Sequence, residues 1–96
     1  MSILIIDDFQ EERDLLFTIL NSAGFGPLLP VGTAREGLHL LGVGKRGKQT
    51  SGIDLVLMDI EMPEIDGLEA CQRIRMEDQL QNLPIIVITA HTEAKD

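Results

Sequence analysis

Three stretches of this chain are apolar without interruption: Ile3–Ile6, Leu55–Met58 and Ile85–Ile88. None of them alternates with polar residues. A strand with one wet face alternates, whereas a strand buried on both faces reads as a continuous run, and such strands belong mostly to parallel sheets. The runs therefore call for a sheet covered on both sides. A weaker run, Leu28–Val31, contains Pro30. Proline has no N–H to give a ladder, so this strand is expected at an edge.

Helical patterns lie between the runs. Glu11 to Ser22 sets Leu15, Leu16, Ile19 and Leu20 on one face, with Glu11, Glu12 and Asp14 in the first turn, where the helix dipole favours negative charge. Gly24 is the expected stop. Thr33-Ala34-Arg35-Glu36 has capping-box spacing and predicts a second helix through about Leu41. Gly67 to about Gln79 predicts a third, with Leu68, Cys71 and Ile74 facing inward. Gly42 to Gly52 reads as a loop carrying Lys45, Arg46 and Lys48; a solvated loop tip is the ordinary reading, and docking of an acidic partner is the alternative. The order β-α-β-α-β-α-β predicts a doubly wound parallel α/β sheet with right-handed crossovers.

At 96 residues the chain makes one small domain. Its formal charge of −8 argues against nucleic acid or an anionic membrane as a partner, and favours cations or basic protein surfaces. The single cysteine, Cys71, excludes an internal disulfide, fits a cytoplasmic setting and is expected to pack in the core. Met58 and Met62 are expected as packing residues, and His39 as a surface residue of the second helix. No apolar run approaches the roughly 18 residues of a membrane-spanning helix.

Open α/β sheets bind ligands outside the carboxyl ends of their strands. The first run here ends in Asp7-Asp8, the third in Asp59 and the fourth in Thr89. If the first and third strands are neighbours, three carboxylates meet in one cleft. Clustered anions repel, and either protons or a cation must offset them. Carboxylates are hard ligands that suit Mg²⁺, which binds through one or two of them plus a phosphate. A lone aspartate at a strand end is usually a turn former; three converging strand ends argue for a site.

The paired acids in ILIIDD, Asp59 within DLVLMDIEMPEIDG and Thr89-Ala90 after PIIVI together resemble a response-regulator receiver domain of two-component signalling. The resemblance spans residues 1–96. It implies a flavodoxin-like sheet of order 2-1-3-4, without the family's fifth βα unit. By position, Asp59 is similar to the phosphoacceptor and Thr89 to the switch hydroxyl. Asp8 resembles the direct Mg²⁺ ligand, Asp7 a ligand acting through water, and Glu61 the residue whose main-chain carbonyl completes the metal shell. Pro63 and Gly67 match the loop after the third strand. The implied partners are a histidine kinase or phosphotransfer protein, and an output domain beyond residue 96.

The family's lysine at the end of a fifth strand has no counterpart, and Lys95 is not assigned that role. Phosphorylation of this chain is accordingly expected to be weak, and self-association is expected, by pairing of the bare fourth strand or by exchange of elements. His91, beside Thr89-Ala90, and the Glu61 side chain are candidates for tuning loss of the phosphoryl group. Two other readings stand beside this one. The first is a phosphorylation-independent interaction or dimerisation module. The second is a metal-dependent phosphohydrolase with Asp59 as nucleophile, which lacks a second aspartate two residues on.

Overall fold

A computed structural model describes residues 1–45 and 52–88. The elements are β1 (Ile3–Ile6), α1 (Gln10–Ser22), β2 (Leu28–Val31), α2 (Ala34–Leu41), β3 (Leu55–Asp59), α3 (Gly67–Arg75), a 3-10 turn (Asp78–Leu80) and β4 (Ile85–Ile88). All strand pairs are parallel, in the order β2-β1-β3-β4. The proline-bearing β2 lies at one edge and β4 at the other. Arg46, Lys48, Thr89, His91 and Lys95 lie outside the described residues.

The continuous runs do what their composition demands. Every residue of β1 is buried, at 1 % exposure or less. Leu4, Ile6, Val56 and Met58 enter one core with α2 and α3 residues, including Leu38, Leu41, Ala70 and Ile74. Ile3, Ile5 and Leu57 form a smaller core on the opposite face. Each of these large aliphatic side chains contributes roughly 1.5–3 kcal/mol by leaving water. Cys71 is half-buried and packs with Met62 against the larger core, while His39 is exposed.

Helix ends follow local chemistry. The Thr33 hydroxyl accepts from the Glu36 amide at 3.0 Å, and the Asp66 carboxylate from the Glu69 amide at 2.8 Å. Gly24 and Gly42 take φ of 90° and 81°, the left-handed conformation that ends α1 and α2.

Three inward assignments differ from the expectation. Leu15 and Ile19 are 59 % and 54 % exposed, and only Leu16 and Leu20 of α1 pack against the smaller core. The helix lies mainly over β1 and β2, so its apolar stripe is wider than the surface it covers. Leu68 is 59 % exposed because α3 turns Gly67, Ala70 and Ile74 inward, a face about 100° away from it. The third helix also stops at Arg75, and the 3-10 turn follows separately.

Candidate functional site

The register of the sheet sets Asp7 beside Asp59. Ile6 is level with Met58, so the next residue of each strand continues the pairing. Both carboxylates extend the face formed by Ile3, Ile5 and Leu57, the face that α1 covers. Asp7 is 2 % exposed and Asp59 9 %. Each gives one oxygen to a turn: Asp7 Oδ1 accepts from the Phe9 amide at 3.0 Å, and Asp59 Oδ1 from the Glu61 amide at 3.2 Å. The turn-forming role of a strand-end aspartate is thus real here, but it engages one oxygen of each pair.

A third carboxylate joins them. Oxygens of Asp7, Glu12 and Asp59 lie within 4.8 Å of one another. The sequence placed Glu12 in the first turn of α1 as a partner of the helix dipole, and that reading did not bring it to the strand-end acids. The missing signal is tertiary, because only the docking of α1 over β1 aims this side chain at the strand ends. Asp8 is exposed and lies outside this closest trio, although its charge acts on both Glu12 and Asp59.

The electrostatics are those of an uncompensated acidic pocket. Burial pushes the Asp59 carboxyl above its ordinary range; the Glu61 amide pulls it down, and the negative charges of Asp7, Asp8 and Glu61 push it up. Glu12 is raised to about 7, first through its hydrogen bond to Asp7, then by burial and by repulsion from Asp7, Asp59 and Asp8. The Arg13 guanidinium donates to the main-chain carbonyl of Asp7 at 2.6 Å and not to the carboxylates.

The loop after Asp59 is tightly constrained. The Ile65 amide donates to the Pro63 carbonyl at 2.8 Å around Glu64, whose φ is 69°, a γ-type turn rarely adopted by side-chain-bearing residues. Gly67 then packs its α-carbon against β3. A Cβ there would lie 2.7 Å from the Asp59 carbonyl oxygen and 2.8 Å from the Ile60 Cα. Of the residues named from sequence, Asp7 and Asp59 are brought together, Asp8 and Glu61 flank them, and Thr89 falls outside the described region.

A parallel doubly wound sheet with carboxylates at the carboxyl ends of adjacent strands places them where open α/β domains bind ligands. The model of the response regulator receiver domain matches residues 3–96, and the chain belongs to that family. It is 36 % identical over 95 residues to the chemotaxis protein CheY-3 of Vibrio cholerae, covering 99 % of this chain and 66 % of that protein. It is 38 % identical over 94 residues to the CAI-1 autoinducer sensor kinase/phosphatase CqsS of the same species, covering 97 % of this chain and 12 % of that protein. Among solved structures, the Thermotoga maritima response regulator TrrA, in complex with Mg²⁺-BeF, superposes with a TM-score of 0.78 at 33 % identity, over 95 % of this chain and 70 % of that one. The chain therefore spans about two thirds of CheY-3 and of TrrA and a small part of CqsS. Among the described residues, no helix is long and apolar enough to cross a membrane.

The donor set fits a hard divalent cation. It consists of carboxylate oxygens with no sulfur or imidazole among them, the chemistry that selects Mg²⁺ or Ca²⁺ over softer metals.

Proposed function

We propose that this chain is a phosphoacceptor module of a two-component signalling pathway, phosphorylated on Asp59 by a histidine kinase or phosphotransfer protein in the presence of Mg²⁺. The observation that carries the reading is the pair of buried carboxylates, Asp7 and Asp59, fixed by strand register at one rim of the sheet. In this reading an Asp59 oxygen attacks the phosphorus of a phosphohistidine. The new P–O bond forms as the P–N bond breaks, and the electron pair stays on the imidazole nitrogen. When bound, Mg²⁺ neutralises charge on the transferred oxygens. Asp7, Asp8 and the Glu61 carbonyl would hold the cation, and the Glu61 amide orients the nucleophile through its bond to Oδ1.

Thr89 is proposed as the switch hydroxyl, since it follows Ile88, the register partner of Asp59. Its reorientation toward the phosphoryl group biases the neighbouring surface between two states, through which a partner or an output domain reads the modification. The module accepts a group and releases it later; it is not a turnover enzyme in this reading. Incubation with acetyl phosphate and Mg²⁺, followed by intact mass measurement, tests the assignment. One phosphoryl adduct is expected, absent in Asp59→Asn; an adduct retained by that variant rejects it.

A second reading, association with another copy independent of phosphorylation, is supported by β4. Among the described residues that strand pairs only with β3, and its Ile86 and Val87 are 51 % and 38 % exposed, an apolar edge of the kind that pairs with further strands.

A further inference from the structure

We propose that Glu12 is a direct ligand of the divalent cation at this site, and that it shifts the site's preference from Mg²⁺ toward larger cations such as Ca²⁺. The inference rests on the acidic pocket being a cation site, as proposed above, and adds a ligand that the strand ends do not supply.

Glu12 is held in place from two sides. The Phe9 amide donates to Asp7 Oδ1 and the Arg13 guanidinium to the Asp7 carbonyl. These bonds clamp the first turn of α1 over the end of β1, with Glu12 between the two anchors. Its neighbours Glu11 and Asp14 are exposed, as expected of acids near a helix N-terminus, whereas Glu12 is partly buried. Its carboxylate oxygen falls within 4.8 Å of oxygens from both strand-end aspartates. The charges that act on it belong to Asp7, Asp59 and Asp8, and every one is negative. A glutamate on an exposed helix surface has rotamers that lead into water; this one hydrogen-bonds Asp7 and lies among the charges of Asp7, Asp59 and Asp8. A cation at the centre converts that repulsion into coordination.

The ligand count sets the preference. Mg²⁺ usually takes one or two carboxylates and keeps its waters, with opposite ligands roughly 4.0–4.2 Å apart. Ca²⁺ takes six to eight oxygens, with opposite ligands roughly 4.6–5.2 Å apart. Three carboxylates, from Asp7, Glu12 and Asp59, exceed the one or two that Mg²⁺ usually takes and approach the oxygen-rich shell of Ca²⁺.

Isothermal titration calorimetry of the 96-residue chain with CaCl₂ and with MgCl₂ tests this, comparing wild type, Glu12→Gln, Glu12→Asp and Glu11→Gln. Glu12→Gln removes the charge, and Glu12→Asp keeps it but withdraws its reach. Both are expected to weaken Ca²⁺ binding by about tenfold or more, with a smaller loss for Mg²⁺. Glu11→Gln removes the same charge one residue away and is expected to change either affinity by less than about twofold. Ca²⁺ binding by Glu12→Asp within about twofold of wild type overturns the ligand role. So do equal losses in Glu12→Gln and Glu11→Gln, which would assign only net charge. A wild-type chain that binds neither cation overturns the cation site itself and this inference with it; a wild type that binds, with unchanged Glu12 variants, overturns only this inference.

Discussion

Replacing Gly67 with alanine sets a methyl group against backbone. The added Cβ would lie 2.7 Å from the Asp59 carbonyl oxygen and 2.8 Å from the Ile60 Cα, where ordinary contact begins at 3.4 Å. Neither neighbour can rotate away as the tip of a side chain could. The first turn of α3 must back off by roughly 0.6–0.7 Å, and overpacking of this kind costs about 1–3 kcal/mol. The same displacement stretches the 3.0 Å hydrogen bond from the Gly67 amide to the Ile60 carbonyl, a further loss of about 0.5–1 kcal/mol. Alanine returns less than about 1 kcal/mol through helix propensity, because Gly67 is the first residue of the helix. A net destabilisation of about 1–3 kcal/mol follows. Urea unfolding followed by circular dichroism measures it as a lower midpoint at unchanged slope. The strain falls on the carbonyl of the proposed phosphoacceptor, so adduct formation with acetyl phosphate should drop as well. A variant within about 0.5 kcal/mol of wild type refutes the contact argument, and normal adduct formation in a destabilised variant separates packing from function.

Three further outcomes follow from the same geometry. In cation-free buffer, Glu12 holds its proton to about pH 7 when folded and to about 4.5 when unfolded; its contribution to stability is therefore full below about pH 4.5 and lost as pH rises through 7. Asp59, raised in the same sense, adds to the trend. Urea midpoints in EDTA should fall across that window and fall less in Glu12→Gln; parallel curves for the two proteins contradict the assignment. Asp66→Ala removes the cap on the Glu69 amide and should cost about 1 kcal/mol, read by urea unfolding, with no change meaning that the amide finds water instead. Ile86→Lys places a charge on the exposed β4 edge and should shift the chain toward monomer in light scattering at high concentration; a wild type already monomeric there rejects edge pairing.

The alternation of apolar runs with helical patterns was enough to give the parallel sheet and the edge position of the proline-bearing strand, while the strand order came with the resemblance to a receiver domain. These properties follow from composition at short range. A continuous run needs two covered faces, proline cannot serve a central strand, and caps such as Thr33 and Asp66 act within three residues of themselves. The likeness of the acids at strand ends to a receiver domain was also readable, because residues that follow paired strands in register must lie together. Asp7 and Asp59 needed nothing more than the strand order to become neighbours.

Long-range docking supplied the rest. Leu15 and Ile19 share a helical stripe with Leu16 and Leu20, yet they stay in water because α1 packs mainly on β1 and β2 and covers little surface beyond them. Leu68 faces outward because Gly67 lets α3 approach β3 on a different face. Glu12 reads as one acid among several in a helix's first turn; only the clamp between Asp7, Phe9 and Arg13 aims it into the pocket. Local pattern fixes which stretches form strands and helices, and the strand order then decides which strand ends coincide. The angle at which a helix lies on a sheet is set by the fit of one surface to another, and no stretch of sequence shorter than the domain contains that information.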